Sequence, residues 1–455
     1  MDLFGTAGIR GDVTERVTPG LVLDVARALG AHAREAGDRE FVVGRDGRVT
    51  GPALAAAAEA GLESAGATVR RIGQVPTPAL AFASRGRRGV MLTASHNPPT
   101  DNGVKAFVDG VEYGEAAETA IEEAVAAGAA PTDWDEWGDG ADEEVLDAYR
   151  AAVVDYARGF GADPEDLRVA VDCGNGMAAL ATPQVLREVG ADVVTLNATV
   201  DGHFPGRESK PTPESLTDLR EFVREGGADF GIGHDGDADR IVVVDGDGEV
   251  VHEDTVLAIL AERYVATSDA DDPVVVTTPN ASGRIDERVE AAGGRVERVA
   301  LGYLHDGIAA ARAGGGDVVF AAEPWKHVHT GFGDWIDAVV SAAVLTRLVA
   351  DEGLGGLRAP VTERPYRKVS VDCPDDAKPA VMERLGESLP AAFPDAEVDP
   401  EYGVRLTFPD ASWTLVRPSG TEPYVRVYAE HDDVDPFVDE VAAVVESAVS
   451  AVTES

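Results

Sequence analysis

Apolar and polar residues fall in blocks along this chain, and one order of blocks recurs three times. The first copy opens on Phe41-Val-Val-Gly-Arg-Asp46, an apolar run with a polar end, as a short buried strand has. A helix-like run starts at Pro52, and Ser64-Ala-Gly-Ala-Thr-Val69 supplies a glycine stop and a second strand. The second copy runs from Arg168-Val-Ala-Val-Asp-Cys-Gly-Asn-Gly176 through a helix from Thr182 to Glu188-Val-Gly-Ala-Asp-Val193. The third runs from Val274-Val-Val-Thr-Thr-Pro-Asn280 through a helix from Gly283 to Ala291-Ala-Gly-Gly-Arg-Val296. Strands alternating with helices predict mixed, mainly parallel sheets covered on both faces, hence three related α/β domains in series.

The C-terminal part is patterned differently. Arg367–Asp372, Gly403–Phe408, Ser412–Arg417 and Tyr424–Ala429 read as short strands, with helices near 376–391 and 434–452. This predicts a smaller α+β domain with a mostly antiparallel sheet. A Gly- and Pro-rich stretch over 353–365 reads as a linker. The expected domains are 1–150, 151–252, 253–358 and 359–455.

A chain of 455 residues with 44% hydrophobic content is long enough for several cores. No apolar run reaches the roughly 20 residues needed to span a bilayer, and the N-terminus has neither a basic region nor an apolar signal core. A cytoplasmic protein is expected. Its two cysteines, Cys173 and Cys373, are too few and too far apart for a disulfide framework or a CxxC metal site, and read as buried free thiols. The net charge of −43 argues against nucleic acid and anionic membranes as partners. Acidic charge spread along the whole chain resembles that of salt-adapted proteins. Lysine is confined to five positions, 105, 210, 326, 368 and 378, which adds weight to a lysine beside a reactive loop.

Chemistry gathers at the ends of the apolar runs. Val90-Met-Leu92 leads into Thr93-Ala-Ser-His-Asn-Pro-Pro99, with Asn102-Gly-Val-Lys105 following. Ser95 stands on a turn that the prolines keep from becoming helix. It can act as a nucleophile or phosphoryl carrier with Lys105 moving a proton, or it can simply cap the turn. Asp235, Asp237 and Asp239 alternate in Gly233-His-Asp-Gly-Asp-Ala-Asp-Arg240 and can converge on one hard cation, or form a polar hairpin loop. Arg240 stands where a calcium EF-hand needs its turn glycine. Arg417-Pro-Ser-Gly-Thr-Glu-Pro423 offers a guanidinium fork, two hydroxyls and backbone N–H groups suited to a phosphate monoester, or an ordinary Ser-Gly turn. Phe4-Gly-Thr-Ala-Gly-Ile-Arg-Gly11 is a glycine-rich loop carrying Arg10 without P-loop spacing. Glu323-Pro-Trp-Lys-His327 reads as a loop because of Pro324, with Glu323 able to grip sugar hydroxyls or Trp325 simply half-buried at the surface.

These five motifs, in this order and over essentially the whole chain, resemble the α-D-phosphohexomutase superfamily of phosphoglucomutases, phosphomannomutases and phosphoglucosamine mutases. The resemblance implies four domains, three α/β and one smaller α+β, around a central cleft. It implies that Ser95 is the phosphorylated serine and that Asp235, Asp237 and Asp239 bind Mg²⁺ together with the Ser95 phosphoryl group. Lys105 resembles the general acid/base, and His96, Arg10 and Arg240 its electrostatic partners. Arg417, Ser419, Gly420 and Thr421, with Arg426 assisting, resemble the clamp for the non-reacting phosphate. Gly302, Tyr303, Glu323 and His327 occupy the places of the sugar-reading loops. The implied activity interconverts hexose 1-phosphate and hexose 6-phosphate through a 1,6-bisphosphate that also serves as activator. The implied partners are small sugar phosphates, and the implied state is a monomer or homodimer. Trp325 and Lys326 stand where the family usually has Ser and Gly, so the sugar is the open point: glucose or mannose first, then glucosamine, then a pentose. A phosphatase using the same serine and cation, or a non-catalytic sugar-phosphate sensor, are the rival readings.

Overall fold

The structure is a computed structural model that describes residues 3–5, 8–419 and 422–453. The chain forms two compact units: Met1–Val256 with Val319–Leu357, and Leu257–Val318 with Arg358–Ser455.

In the first unit, the first repeat builds a sheet in the order Ile9–Asp12, Asp101–Val108, Arg88–Leu92, Glu40–Arg45, Thr68–Gln74, Gly140–Asp142. Its middle and far strands run parallel, as the repeat predicts. The Asp101–Val108 strand joins antiparallel to both of its neighbours. Every residue of Arg88–Leu92 is buried, which is why its end, Val90-Met-Leu92, reads as an unbroken apolar run. The helices Pro19–Glu35 and Gly51–Ser64 pack closely on one another. Gly61 permits this, since a Cβ there would lie 2.4 Å from the Leu23 carbonyl oxygen.

The second repeat forms the sheet Val250–Val251, Ile241–Val244, Phe230–His234, Arg168–Asp172, Asp192–Leu196. Its last three strands are parallel, while Phe230–His234 and Ile241–Val244 make an antiparallel hairpin. A second hairpin pairs the end of Asp317–Glu323 with Lys326–Val328. The helix Ala338–Glu352 is buried over residues 338–349 and packs against Leu146–Ala157 and Thr182–Glu188. The Asp337 carboxylate caps it by accepting from the N–H groups of Val339 and Val340.

In the second unit, Pro273–Thr277 and Arg295–Arg298 pair in parallel as the third repeat predicts. The C-terminal sheet is wholly antiparallel, in the order Tyr366–Asp372, Tyr424–Glu430, Trp413–Pro418, Val404–Thr407, Glu397–Asp399. One face, carrying Val416, Val425 and Val427, packs under Lys378–Ala392 and Val434–Thr453. The boundary expected at 150 falls inside the helix Leu146–Ala157, and the linker expected over 353–365 begins as the short helix Leu354–Arg358. Both cysteines are buried and free. Among the described residues no helix is long and apolar enough to cross a membrane.

Candidate active site

Ser95 follows the buried strand Arg88–Leu92 and takes a left-handed backbone conformation, φ +50°, in a turn where the Asn97 N–H donates to the Ala94 carbonyl. Such a conformation is held only when its surroundings dictate it, and here they do. The Ser95 N–H donates to Thr93 Oγ1 (2.9 Å). The buried Arg48 donates to the carbonyl oxygens of Ser95 (2.9 Å), Asn97 (2.7 Å), Asp101 (2.9 Å) and Pro98. Its Nε donates to Asp46 Oδ2 (3.0 Å), which also accepts from Thr93 Oγ1 (2.7 Å). Ser209 Oγ donates to the Asn97 carbonyl (3.0 Å). Sequence reading treated Arg45-Asp46 only as a strand end and passed over Arg48.

The three aspartates sit in the loop of the Phe230–His234/Ile241–Val244 hairpin, all fully buried, with one carboxylate oxygen from each within 4.8 Å of the others. Ser95 Oγ donates to Asp235 Oδ2 (2.7 Å) and lies 3.4 Å from Asp239 Oδ1. Asp237 Oδ2 accepts from Thr77 Oγ1 (2.6 Å), while its Oδ1 is buried without a hydrogen-bond partner. Burial and the charges of Asp239 and Asp237 push the Asp235 carboxyl well above the usual range. Burial would raise Asp239 too, but Lys326, Lys105, Arg240 and Arg10 hold it well below. Three converging buried carboxylates, one with an unanswered oxygen, are an all-oxygen donor set that fits a hard divalent cation.

Lys105 lies opposite Met91 in the sheet, buried, with its ammonium 3.2 Å from Asp239 Oδ2 and 3.9 Å from Glu112 Oε1. Burial lowers its pKa, but Glu112 and Asp239 outweigh this and raise it. His96 Nδ1 is 3.4 Å from Ser95 Oγ. Burial, then Arg240 and Arg10, lower its pKa to about 2, so the ring is neutral. Gly8, at φ +80°, lets the N-terminal loop run against this strand, where a Cβ would sit 2.6 Å from the Val104 carbonyl oxygen.

Arg10, Arg16, His96, Arg240, Glu323 and Lys326 line a cavity of about 300 Å³. Nε and Nη2 of Arg10 and Nε of Arg240 are buried there without hydrogen-bond partners. Arg240 lies 3.9 Å from Asp235 and 3.8 Å from Asp239, with the Trp325 ring 5.9 Å away. The cavity is cationic within a strongly acidic chain.

Glu323 and Lys326 are cross-strand partners in the second hairpin, so the segment expected as a loop is a strand pair with Trp325, at φ +69°, in its turn. This corrects His327. Strand alternation turns its side chain away from the cavity. It is buried against Phe320 and His329, with Nδ1 3.0 Å from Ser341 Oγ. Burial lowers its pKa to about 3, so the ring is neutral; it does not line this cavity, and its Nε2 is buried without a hydrogen-bond partner.

The remaining expected residues belong to the second unit. Gly302, at φ +86°, and Tyr303, 38% exposed, precede the helix Leu304–Ala313. Arg417 and Arg426 are direct cross-strand partners. Arg417 donates to the Tyr428 hydroxyl (3.2 Å), and Arg426 to the Tyr424 hydroxyl (2.9 Å). Nε of both arginines and Oγ of Ser419 are buried without hydrogen-bond partners, which suits an incoming anion. Gly420 and Thr421 lie outside the described residues. Sequence reading missed Lys378, whose ammonium donates to the carbonyl oxygens of Ser419 and Glu422 (both 2.6 Å) and ties down the two ends of this loop.

The chain matches the family profiles for phosphoglucomutase/phosphomannomutase alpha/beta/alpha domain I over residues 1–131, domain II over 148–248, and the C-terminal domain over 369–447. It is 44% identical to a phosphopentomutase of Thermococcus kodakarensis, over 94% of each chain. It is 41% identical to a probable phosphoglucosamine mutase of Methanopyrus kandleri, over 97% of this chain and 98% of that protein. In fold it is similar to the crystal structure of a phosphoglucomutase/phosphomannomutase family protein from Burkholderia thailandensis (TM-score 0.84, 24% identity, covering 99% of this chain and 98% of that one).

Proposed function

Since the chain belongs to the α-D-phosphohexomutase superfamily, we propose that it moves a phosphoryl group between Ser95 and the two ends of a sugar phosphate, interconverting the 1-phosphate and the terminal phosphate through a sugar bisphosphate. The observation that carries this is the placement of Ser95 Oγ, 2.7 Å from Asp235 in a buried acidic triad. Phosphoryl transfer needs positioning and neutralisation of charge more than covalent help. Arg10 and Arg240 bring unpartnered N–H groups to the neighbouring cavity and bind the equatorial oxygens. Lys105, kept charged by Glu112 and Asp239, gives a proton to the oxygen that departs and, once neutral, takes one back from the hydroxyl that attacks. Asp235, Asp237 and Asp239 would hold Mg²⁺, which when bound supplies Lewis-acid neutralisation of the phosphoryl charge. Arg417, Ser419 and Arg426 grip the phosphate that is not reacting.

For the sugar, we place a pentose phosphate ahead of glucose or mannose phosphates, in support of which stands the relative named a phosphopentomutase. Phosphorus NMR of the protein with Mg²⁺, a trace of sugar bisphosphate and, separately, the 1-phosphates of ribose, glucose, mannose and glucosamine tests the reading. Growth of the terminal-phosphate signal without free phosphate is the expected result. Free phosphate alone would replace it with a phosphatase.

A further inference from the structure

Two of the five lysines in this chain converge on a single carboxylate oxygen. Lys105 Nζ is 3.2 Å from Asp239 Oδ2, and Lys326 Nζ is 3.9 Å from the same atom. Lys105 comes from the sheet behind Ser95, whereas Lys326 comes from the hairpin and lines the cavity itself. The ammonium of Lys326 also stands 3.4 Å from Glu323 Oε1, its direct cross-strand partner, with Lys326 nearly buried and Glu323 partly so.

The balance of charge in the cavity follows from these positions. Arg10, Arg16, Arg240 and Lys326 contribute cations. Glu323 is the one carboxylate among the residues that line it, and Lys326 already answers that carboxylate. A neutral hydroxyl between the two meets a donor in Lys326 and an acceptor in Glu323. A ligand ammonium meets a carboxylate paired with a like charge, in a partly desolvated space where repulsion is weakly screened. An asparagine, serine or glycine at 326 would leave Glu323 open to a cation.

We infer that Lys326 is a specificity-determining residue that admits sugar phosphates bearing neutral hydroxyls and turns away amino-sugar phosphates bearing a free ammonium. This deepens the proposed function and rests on it. Glucose and glucosamine phosphates form the test pair, because they differ only in the hydroxyl or ammonium at C2. The wild-type protein and the variants Lys326→Met, Lys326→Gln and Lys326→Arg are assayed for kcat/KM on the two 1-phosphates, and binding of the two 6-phosphates is measured by titration calorimetry. Expected results are at least a tenfold preference of the wild type for glucose over glucosamine, a ratio that falls at least tenfold in Lys326→Met and Lys326→Gln, and a ratio retained in Lys326→Arg. A lysine serving only to balance Asp239 would change activity on both sugars equally and leave the ratio in place. A ratio within twofold of wild type in both neutral variants, or a wild type that prefers glucosamine, would overturn the inference. Absence of turnover on every sugar would instead refute the mutase reading, and the calorimetric ratio would still decide the role of Lys326.

Discussion

Replacing Arg48 with methionine keeps most of the side-chain volume and removes the guanidinium donors that hold the Ser95 turn. Arg48 is fully buried, and it answers the Asp46 carboxylate and four carbonyl oxygens between Ser95 and Asp101. Breaking a buried ion pair from one side costs about 3–5 kcal/mol. A buried carbonyl left without a partner adds about 1–3 kcal/mol, although relaxation of the turn recovers part of this. A loss of about 5 kcal/mol in unfolding free energy is expected for Arg48→Met, read from urea denaturation. Activity should fall further than stability explains: about a hundredfold in kcat at temperatures where the variant stays folded, because Ser95 no longer holds φ +50° against Asp235. Arg48→Lys keeps the charge near Asp46 but reaches fewer carbonyls, so it should recover stability better than kcat. An Arg48→Met variant with wild-type stability and kcat would refute the reasoning.

Further predictions concern acid stability and the phosphate loop. Burial holds the imidazoles of His327, lowered to about 3, and His329, well below the ordinary value, neutral in the fold. Each contributes stability that is complete above about pH 6.5 and lost as pH falls, about 2 kcal/mol by pH 5. Asp337, raised to about 6 by burial, acts in the opposite sense and offsets about 1 kcal/mol over the same range. The urea midpoint should therefore drop between pH 7 and pH 5, and an unchanged midpoint would contradict the burial argument. Lys378→Met unties the Ser419 and Glu422 carbonyls. It should raise KM for sugar phosphate at least tenfold with a smaller change in kcat, measured by steady-state kinetics.

Much of the fold was legible because its signals are local. Each strand–helix–strand repeat carries its own apolar runs and glycine stops, and these became the parallel pairs at Glu40–Arg45 with Thr68–Gln74 and Arg168–Asp172 with Asp192–Leu196. The motif loops lie at strand ends, so they stood out by residue type, while the chemistry expected of them came from the family resemblance. The supports behind them were not. Arg48 and Lys378 act on backbone carbonyls, which carry no sequence signature, and Arg48 lies 47 to 53 positions from the carbonyls it holds. The resemblance put His327 among the sugar-reading residues, and Pro324, by suggesting a loop, hid the alternation of the segment. Read as a strand, the same residues alternate, with Lys326 facing the cavity and His327 the core. The acidic stretch before 150 gives no apolar period until Leu146, where the helix Leu146–Ala157 begins.

On the proposed function, Ser95 carries the phosphoryl group in transit. Intact-protein and peptide mass spectrometry after incubation with Mg²⁺ and a sugar bisphosphate tests it most directly, followed by a chase with sugar monophosphate. One phosphoryl group is expected on the peptide containing Ser95, removed by the chase with matching formation of bisphosphate, with no label in Ser95→Ala. Label on another residue, or label that the sugar monophosphate cannot remove, would contradict it.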